Sequence, residues 1–155
     1  MIIVFGASGL LGSSICNFLK SKNVKYVGFS KSKKGFRKID LLKKNNLIKV
    51  LKKINPKTII NCTGLTDVDK CNRYIEKAYI QNSLIVKNIV ESLNYIKSKA
   101  YLIHISTDQI YNSQKIFKSN LETNKNLSNA YSITKYLGEK NIENYKNSII
   151  LRTNF

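Results

Sequence analysis

Short apolar runs that do not alternate with polar residues recur along this chain, each followed by a stretch with helical spacing. Ile2–Phe5, Tyr26–Phe29, Thr58–Cys62, Tyr101–Ser106 and Ser148–Arg152 read as strands, and Phe36–Asp40 as a short extra one. Leu10–Lys20, Leu41–Ile54, Glu76–Tyr95 and Ala130–Asn144 carry apolar residues at helical intervals. A strand that is apolar on both faces must be covered on both, and strands that alternate with helices run parallel. The pattern predicts an α/β fold: one doubly wound parallel sheet, a size that 155 residues can fill as a single domain over residues 1–155. In the longest helix, Ile80, Leu84, Val86, Ile89, Val90 and Leu93 are the expected core. The segment Ile110–Asn129 reads mostly as loop.

The formal charge of +18 raises the question of nucleic acid. Arginine occurs only at positions 37, 73 and 152, and the lysines are spread along the chain beside many Asn and Ile. No arginine-rich patch interleaved with aromatic residues exists, so a specific nucleic-acid partner is not expected, only weak attraction to polyanions at low salt. Cys16, Cys62 and Cys71 are odd in number and lack metal-ligand spacing. Cys16 and Cys62 lie in apolar patterns and read as buried free thiols, which suits a reducing, cytoplasmic setting. Met1 runs directly into a strand, so no signal peptide is expected, and no apolar run reaches about 18 residues, so no membrane span is expected either. His104 falls inside a strand and reads as packed. The chain stops at Phe155, just after the apolar strand ending at Arg152, which suggests the N-terminal part of a longer protein or a natural truncation.

The first strand runs into Gly6-Ala7-Ser8-Gly9-Leu10-Leu11-Gly12 and then into a helix. Glycine at 6 permits a tight turn, at 9 lets backbone approach a pyrophosphate, and at 12 lets helix and strand pack closely. The helix N-terminus beyond, with Ser8, Leu10 and Leu11 around it, offers free N–H groups to phosphate. A Rossmann-type dinucleotide site is the expectation. The second strand ends in Ser30-Lys31-Ser32-Lys33-Lys34, with no acidic residue to take the ribose hydroxyls. Serine and lysine there suit a 2′-phosphate, so NADPH is favoured and NADH remains open, since lysine is abundant throughout. Asp40 and Leu41 can border the adenine or, equally, cap a helix. Cys62, Thr63 and Gly64 end the next main strand in a small-residue turn that can pass the cofactor's ribose. The following Thr66–Asp69 can cap a helix.

Tyr131 and Lys135 stand four residues apart on one helix face. A cation beside a phenol favours phenolate and brings its pKa toward neutrality, which would let the tyrosine exchange protons. Thr107, at the end of a strand, can add a hydroxyl. A ketone reduction needs this set: a proton donor, a group that polarises the carbonyl and a positioned hydride source.

Gly6–Gly12, Asn61–Asp69, Ile105–Tyr111, Asn129–Glu139 and Ile150–Thr153 occur in the order found in extended short-chain dehydrogenases/reductases. The chain most resembles the dTDP-4-dehydrorhamnose reductases, with their STD, YxxTKxxGE and LRT segments, over about the cofactor-binding half of a family member. The resemblance implies that Tyr131 protonates the keto oxygen, that Lys135 bonds the nicotinamide ribose and lowers the tyrosine pKa, and that Thr107 bonds the reacting oxygen. It implies an NADPH-dependent reductase of a nucleotide-activated 4-keto-6-deoxy sugar, in polysaccharide synthesis, with most of the substrate domain absent. Its partner is a nucleotide sugar; a homodimer stays open. Two departures stand out: Ser132 where glycine is common, and Cys71-Asn72 in place of a small residue and glutamate. A sugar-nucleotide epimerase or dehydratase holding NAD is the alternative enzyme, although a dehydratase would favour an Asp-Glu pair where Asp108-Gln109 stands. A non-catalytic NADP-binding module is the alternative outside enzymes.

Overall fold

A computed structural model describes residues 1–31, 35–111 and 127–154. The expected strands are β1 (Ile2–Phe5), β2 (Tyr26–Ser30), β3 (Arg37–Lys38), β4 (Thr58–Asn61), β5 (Tyr101–Thr107) and β6 (Ser148–Thr153). They form one sheet in the order β3-β2-β1-β4-β5-β6, with every pairing parallel. The chain winds outward from β1 to one edge, then returns to β4 and winds to the other. The carboxyl ends of β1 and β4 therefore flank the point where the order reverses, which is where such sheets hold ligands.

The helices are α1 (Leu10–Ser21), α2 (Lys44–Ile54), α3 (Val68–Arg73), α4 (Ile75–Tyr79), α5 (Ile85–Tyr95) and α6 (Ala130–Ile142). Alternate strand residues divide the core between the two faces. Ile3, Phe5, Ile59 and Leu102 pack against Leu47 and Leu51 of α2, Ile89 and Leu93 of α5, and Ile142 of α6. Val4 and Ile60 pack on the other face with Cys16 and Leu19 of α1. At the far edge of the sheet, Ile149 and Leu151 of β6 stay 42% and 40% exposed. Among the described residues, no helix is long and apolar enough to cross a membrane.

Some expectations need correction. The second helix starts at Lys44, not Leu41, and its cap is Lys43 rather than Asp40. The Asp40 carboxylate instead accepts the Leu42 N–H at 3.1 Å, an Asx turn that swings Leu41 into the core. Asp67 does cap α3, accepting the Lys70 N–H at 2.9 Å. The final helix ends at Ile142, two residues early. The long helix over 76–95 is interrupted by a π-helical turn, Ile80–Leu84. Its wider winding changes the phase of the buried stripe. Val86, Ile89, Val90 and Leu93 are buried as expected, but Ile80 and Leu84 are only half-buried, while Asn82 and Ser83 turn inward. Of the loop expected over Ile110–Asn129, residues 112–126 lie outside the described residues, as do Ser32, Lys33, Lys34 and Phe155.

The π-helical turn meets α6 at Gly138, where a Cβ would overlap the Asn82 carbonyl oxygen. Gly138→Ala is therefore expected to cost about 1–3 kcal/mol, the usual range for overpacking, read as a lower midpoint in urea denaturation.

Candidate active site

Two adjoining clefts open above the sheet at the reversal point. The larger, about 380 Å³, runs from Gly9–Gly12 past Cys62–Gly64 to Ser106, Thr107, Tyr131, Lys135, Thr153 and Asn154. The smaller, about 230 Å³, is lined by Gly6, Ser8, Gly9, Ser30, Lys31, Asp40, Leu41 and the same Cys62–Gly64 turn. Gly9, Cys62, Thr63 and Gly64 belong to both, so the two clefts form one elongated trough. The described residues expected from sequence to hold cofactor or substrate all line this trough, while Ser32, Lys33 and Lys34 lie outside the described residues.

The glycines of the loop answer to different neighbours. Gly6 has φ +75°, and a Cβ there would lie 2.8 Å from the Cys62 carbonyl group. At Gly12 a Cβ would overlap the Gly6 carbonyl oxygen. Folding alone demands both. Gly9 is different: its φ is −75°, and a Cβ would meet only the Gly6 oxygen at an ordinary 3.4 Å. The bare backbone there faces the trough, at the start of a helix whose first turn has no side-chain cap and no acidic residue. Free N–H groups and the positive end of the helix dipole suit a pyrophosphate. Beyond it, the Ser30 hydroxyl donates to the Ser8 hydroxyl at 2.9 Å on the wall of the smaller cleft, with exposed Lys31 beside them.

The helix that carries Tyr131 and Lys135 is fixed at its start by side chains. Asn129 and Ser132 form a capping box, the Ser132 N–H donating to Asn129 Oδ1 at 2.8 Å. Asn72 Oδ1 takes the Ala130 N–H at 3.0 Å. Both departures from the family pattern thus have a local use: Ser132 closes the cap, and the Cys71-Asn72 pair docks α3 on the helix start, with Cys71 buried against Tyr131. Asn82, which the sequence reading missed, joins the turn after β4 to the same helix. Its Oδ1 accepts the Leu65 N–H at 2.7 Å, and its Nδ2 donates to the Leu65 carbonyl at 3.1 Å and to Thr134 Oγ1 at 3.0 Å. Its position in the π-helical turn, off the helical period, left no sequence signal for it.

From this platform the two side chains diverge onto β5. The Tyr131 phenol and the Thr107 hydroxyl stand together on the trough wall. Lys135 Nζ reaches deeper and donates to the Ile105 carbonyl at 2.6 Å. Both are nearly inaccessible, Tyr131 at 8% and Lys135 at 4%. The expectation that the lysine lowers the tyrosine pKa does not describe this arrangement. Burial raises the phenol's pKa above its ordinary value, the neighbouring Thr107 hydroxyl pulls it back, and Cys71 and Asp108 add to the rise. The ammonium is engaged with the backbone of β5 instead. A raised pKa keeps the phenol protonated at neutral pH, as a proton donor requires. Burial lowers Lys135 to about 8, against the opposing pull of Glu139 and Cys62.

Beneath the lysine lies a buried polar pair. Asn61 Oδ1 accepts the Thr63 N–H at 3.1 Å and the Thr63 hydroxyl at 2.7 Å, which leaves its Nδ2 to face His104 Nδ1 at 3.1 Å. That bond places the ring proton on Nε2, which finds no partner among the described residues. His104 is fully buried, packed as expected, and burial with Lys135 nearby holds its pKa well below the ordinary value. Cys16 and Cys71 are buried thiols, but Cys62 is only half-buried and lines the trough. Burial pushes its pKa up to about 12, so it stays a thiol there and is a poor nucleophile.

Fold and trough together define a dinucleotide-binding α/β domain with a tyrosine–lysine pair at one end of its ligand site. A family model, the RmlD substrate binding domain, matches residues 1–155, and the chain belongs to that family. The Bacillus subtilis spore coat polysaccharide biosynthesis protein SpsK is 25% identical over 155 residues, covering 99% of this chain and 52% of that protein. The crystal structure of a dTDP-4-dehydrorhamnose reductase from Clostridium acetobutylicum superposes with a TM-score of 0.85 at 28% identity, over 99% of this chain and 52% of that one. The Bacillus anthracis dTDP-4-dehydrorhamnose reductase, solved in complex with NADP, gives 0.85 at 26% identity, over 97% and 52%. The chain spans about half the length of the relatives it matches.

The neutral His104 makes a signed prediction. An unfolded histidine takes up a proton below about pH 6.5, whereas the native ring resists it, so stability is retained above that pH and lost as pH falls below it. The loss from this one group is expected to reach about 1.4 kcal/mol per pH unit. Denaturant unfolding from pH 7 to 5 should show a shallower decline for His104→Gln than for the parent protein.

Proposed function

We propose that residues 1–155 form the cofactor-holding unit of an NADPH-dependent reductase acting on a nucleotide-activated 4-keto-6-deoxy sugar. The setting would be polysaccharide or nucleotide-sugar synthesis. One observation carries this reading: Thr107, Tyr131 and Lys135 line one end of a trough that runs past a glycine loop suited to a pyrophosphate. The names of the relatives, reductases of a dTDP-linked keto sugar and a polysaccharide biosynthesis protein, support the substrate class.

The residues present fit a dinucleotide. Gly9 leaves open the space that a Cβ would occupy, and the first turn of α1 offers its N–H groups. Ser8, Ser30 and Lys31 can bond a 2′-phosphate, and no carboxylate ends β2 to prefer a free ribose hydroxyl. NADPH is the preferred cofactor and NADH is accommodated. When bound, it supplies the hydride. Tyr131, held protonated by burial, gives its proton to the oxygen of the carbonyl being reduced. Thr107 bonds that oxygen and steadies the phenol. Lys135 presents an ammonium to the ribose end of the trough. The backbone around Cys62–Gly64 lets the cofactor pass between the two clefts.

Gln109 beside Asp108, and the missing acid after β2, speak against an NAD-dependent dehydratase or epimerase. A non-catalytic NADP-binding module shares every feature of the trough, and activity separates the two. With a nucleotide-linked 4-keto sugar, the complete protein should consume NADPH, followed by its absorbance. Tyr131→Phe should reduce that rate by about 10²–10⁴-fold while NADPH binding, followed by fluorescence, stays within a few fold. Unchanged turnover in the variant would sink the mechanism. NADPH binding without any turnover, even by the complete protein, would favour the binding module.

A further inference from the structure

Behind the site, one buried cluster ties together the three segments that carry its side chains. Glu139 lies one helical turn beyond Lys135 on α6 and is 4% exposed. Its carboxylate accepts two bonds from Arg152 of β6, from Nε to Oε1 at 2.9 Å and from Nη2 to Oε2 at 2.7 Å. The guanidinium in turn lies 4.9 Å from the ring centroid of Tyr111, just past the end of β5. The reaction proposed above leaves both ions unused. Two charges withdrawn from water are costly to hold unless each has a partner, so a pair kept there calls for a reason.

The reason lies in what else the carboxylate faces. Tyr131, Lys135 and Glu139 recur every four residues along one buried stripe of α6, which puts Glu139 one turn from Lys135 on the same face. From the other elements, Lys135 is faced by Cys62 after β4 and by His104 of β5. The thiol, with its pKa up at about 12, is neutral at physiological pH, and so is the deeply buried imidazole. Among the described residues, Glu139 is therefore the anion that opposes the burial of Lys135. Arg152 grips both of its oxygens.

We propose that Glu139 and Arg152 are positioning residues that set the charge of Lys135: the carboxylate keeps the ammonium protonated inside the fold, and the bidentate guanidinium limits how strongly it does so. The importance of that charge rests on the reading of Lys135 as a cofactor ligand; the action of the pair on Lys135 does not.

The two members must then act in opposite directions. Removing the carboxylate leaves burial unopposed, and Lys135 should lose its proton at lower pH than its present value of about 8. Removing the guanidinium deletes a nearby positive charge and frees both oxygens, and Lys135 should hold its proton to higher pH. The full chain, labelled with ¹³C at the lysine ε-carbons, reports this directly by NMR titration without cofactor, the signal being assigned by its loss in Lys135→Arg. Glu139→Gln is expected to raise the acid dissociation constant of Lys135 by about threefold or more, and Arg152→Met to lower it by a similar factor. Arg152→Lys, which keeps a cation but loses the two-point grip, should fall between the parent and Arg152→Met. Simple loosening of the fold exposes the lysine and moves both variants toward the ordinary lysine value, so shifts of the same sign would overturn the proposal, as would no shift. Should Glu139→Gln fail to fold, Glu139→Asp draws the charge back by one methylene and should shift Lys135 the same way by less; an opposite or absent shift there would overturn it equally. NADPH affinity measured against pH supplies the second arm. If the NMR shifts appear and the affinity profile does not follow them, the pair stands and the reading of Lys135 as a cofactor ligand falls.

Discussion

The arrangement depends on keeping an ammonium group out of water. Lys135 is 4% exposed, and a lysine so placed would ordinarily shed its proton. Much of the surrounding structure answers that cost. The carbonyl of Ile105 accepts its bond, Glu139 supplies an opposing charge, and His104 and Cys62 are kept neutral by their own burial. The polar pair Asn61–His104 is directly opposite in the register of β4 and β5, so the sheet itself places it under the lysine.

The same helix has to be held to fine tolerance, because two of its trough-lining side chains meet strand residues two apart. Tyr131 meets Thr107, and Lys135 meets Ile105. One helical turn spans close to the rise of two strand residues, so α6 must lie along β5 without slipping. Its start is fixed by Asn129, Ser132 and Asn72, its middle by Asn82 and Gly138, and its far end by the Glu139–Arg152 pair. No one of these contacts lies in the trough, yet each sets where the trough's side chains stand.

The glycine loop shows how folding and ligand demands separate. At Gly6 and Gly12 the protein's own backbone leaves no room for a side chain, and either glycine would be needed in the absence of any ligand. Gly9 has no such reason within the fold. A glycine unexplained by packing, at an uncapped helix start in a cleft, is better evidence of a phosphate site than the three glycines counted together.

The sequence alone determined the sheet and its reading order. Strands apolar on both faces, alternating with helical stretches, leave few options other than a parallel sheet covered on both sides, and the glycine spacing marked where the chain turns across it. It also marked a part of the trough's lining, because in such a sheet ligand-facing residues follow strand ends, and strand ends are legible; Ser14, Gln81, Thr153 and Asn154 join that lining only through packing. It did not determine the electrostatics. The spacing of Tyr131 and Lys135 suggested a cation lowering a phenol pKa, but burial and the separate strand partners of the two side chains reversed the direction. Asn82 and the Glu139–Arg152 pair were hidden for a related reason: a π-helical turn shifts the phase on which helical periodicity relies, and an ion pair between α6 and β6 joins residues that only the packed sheet brings together. Local pattern fixed the elements, and tertiary burial decided which charges they could carry.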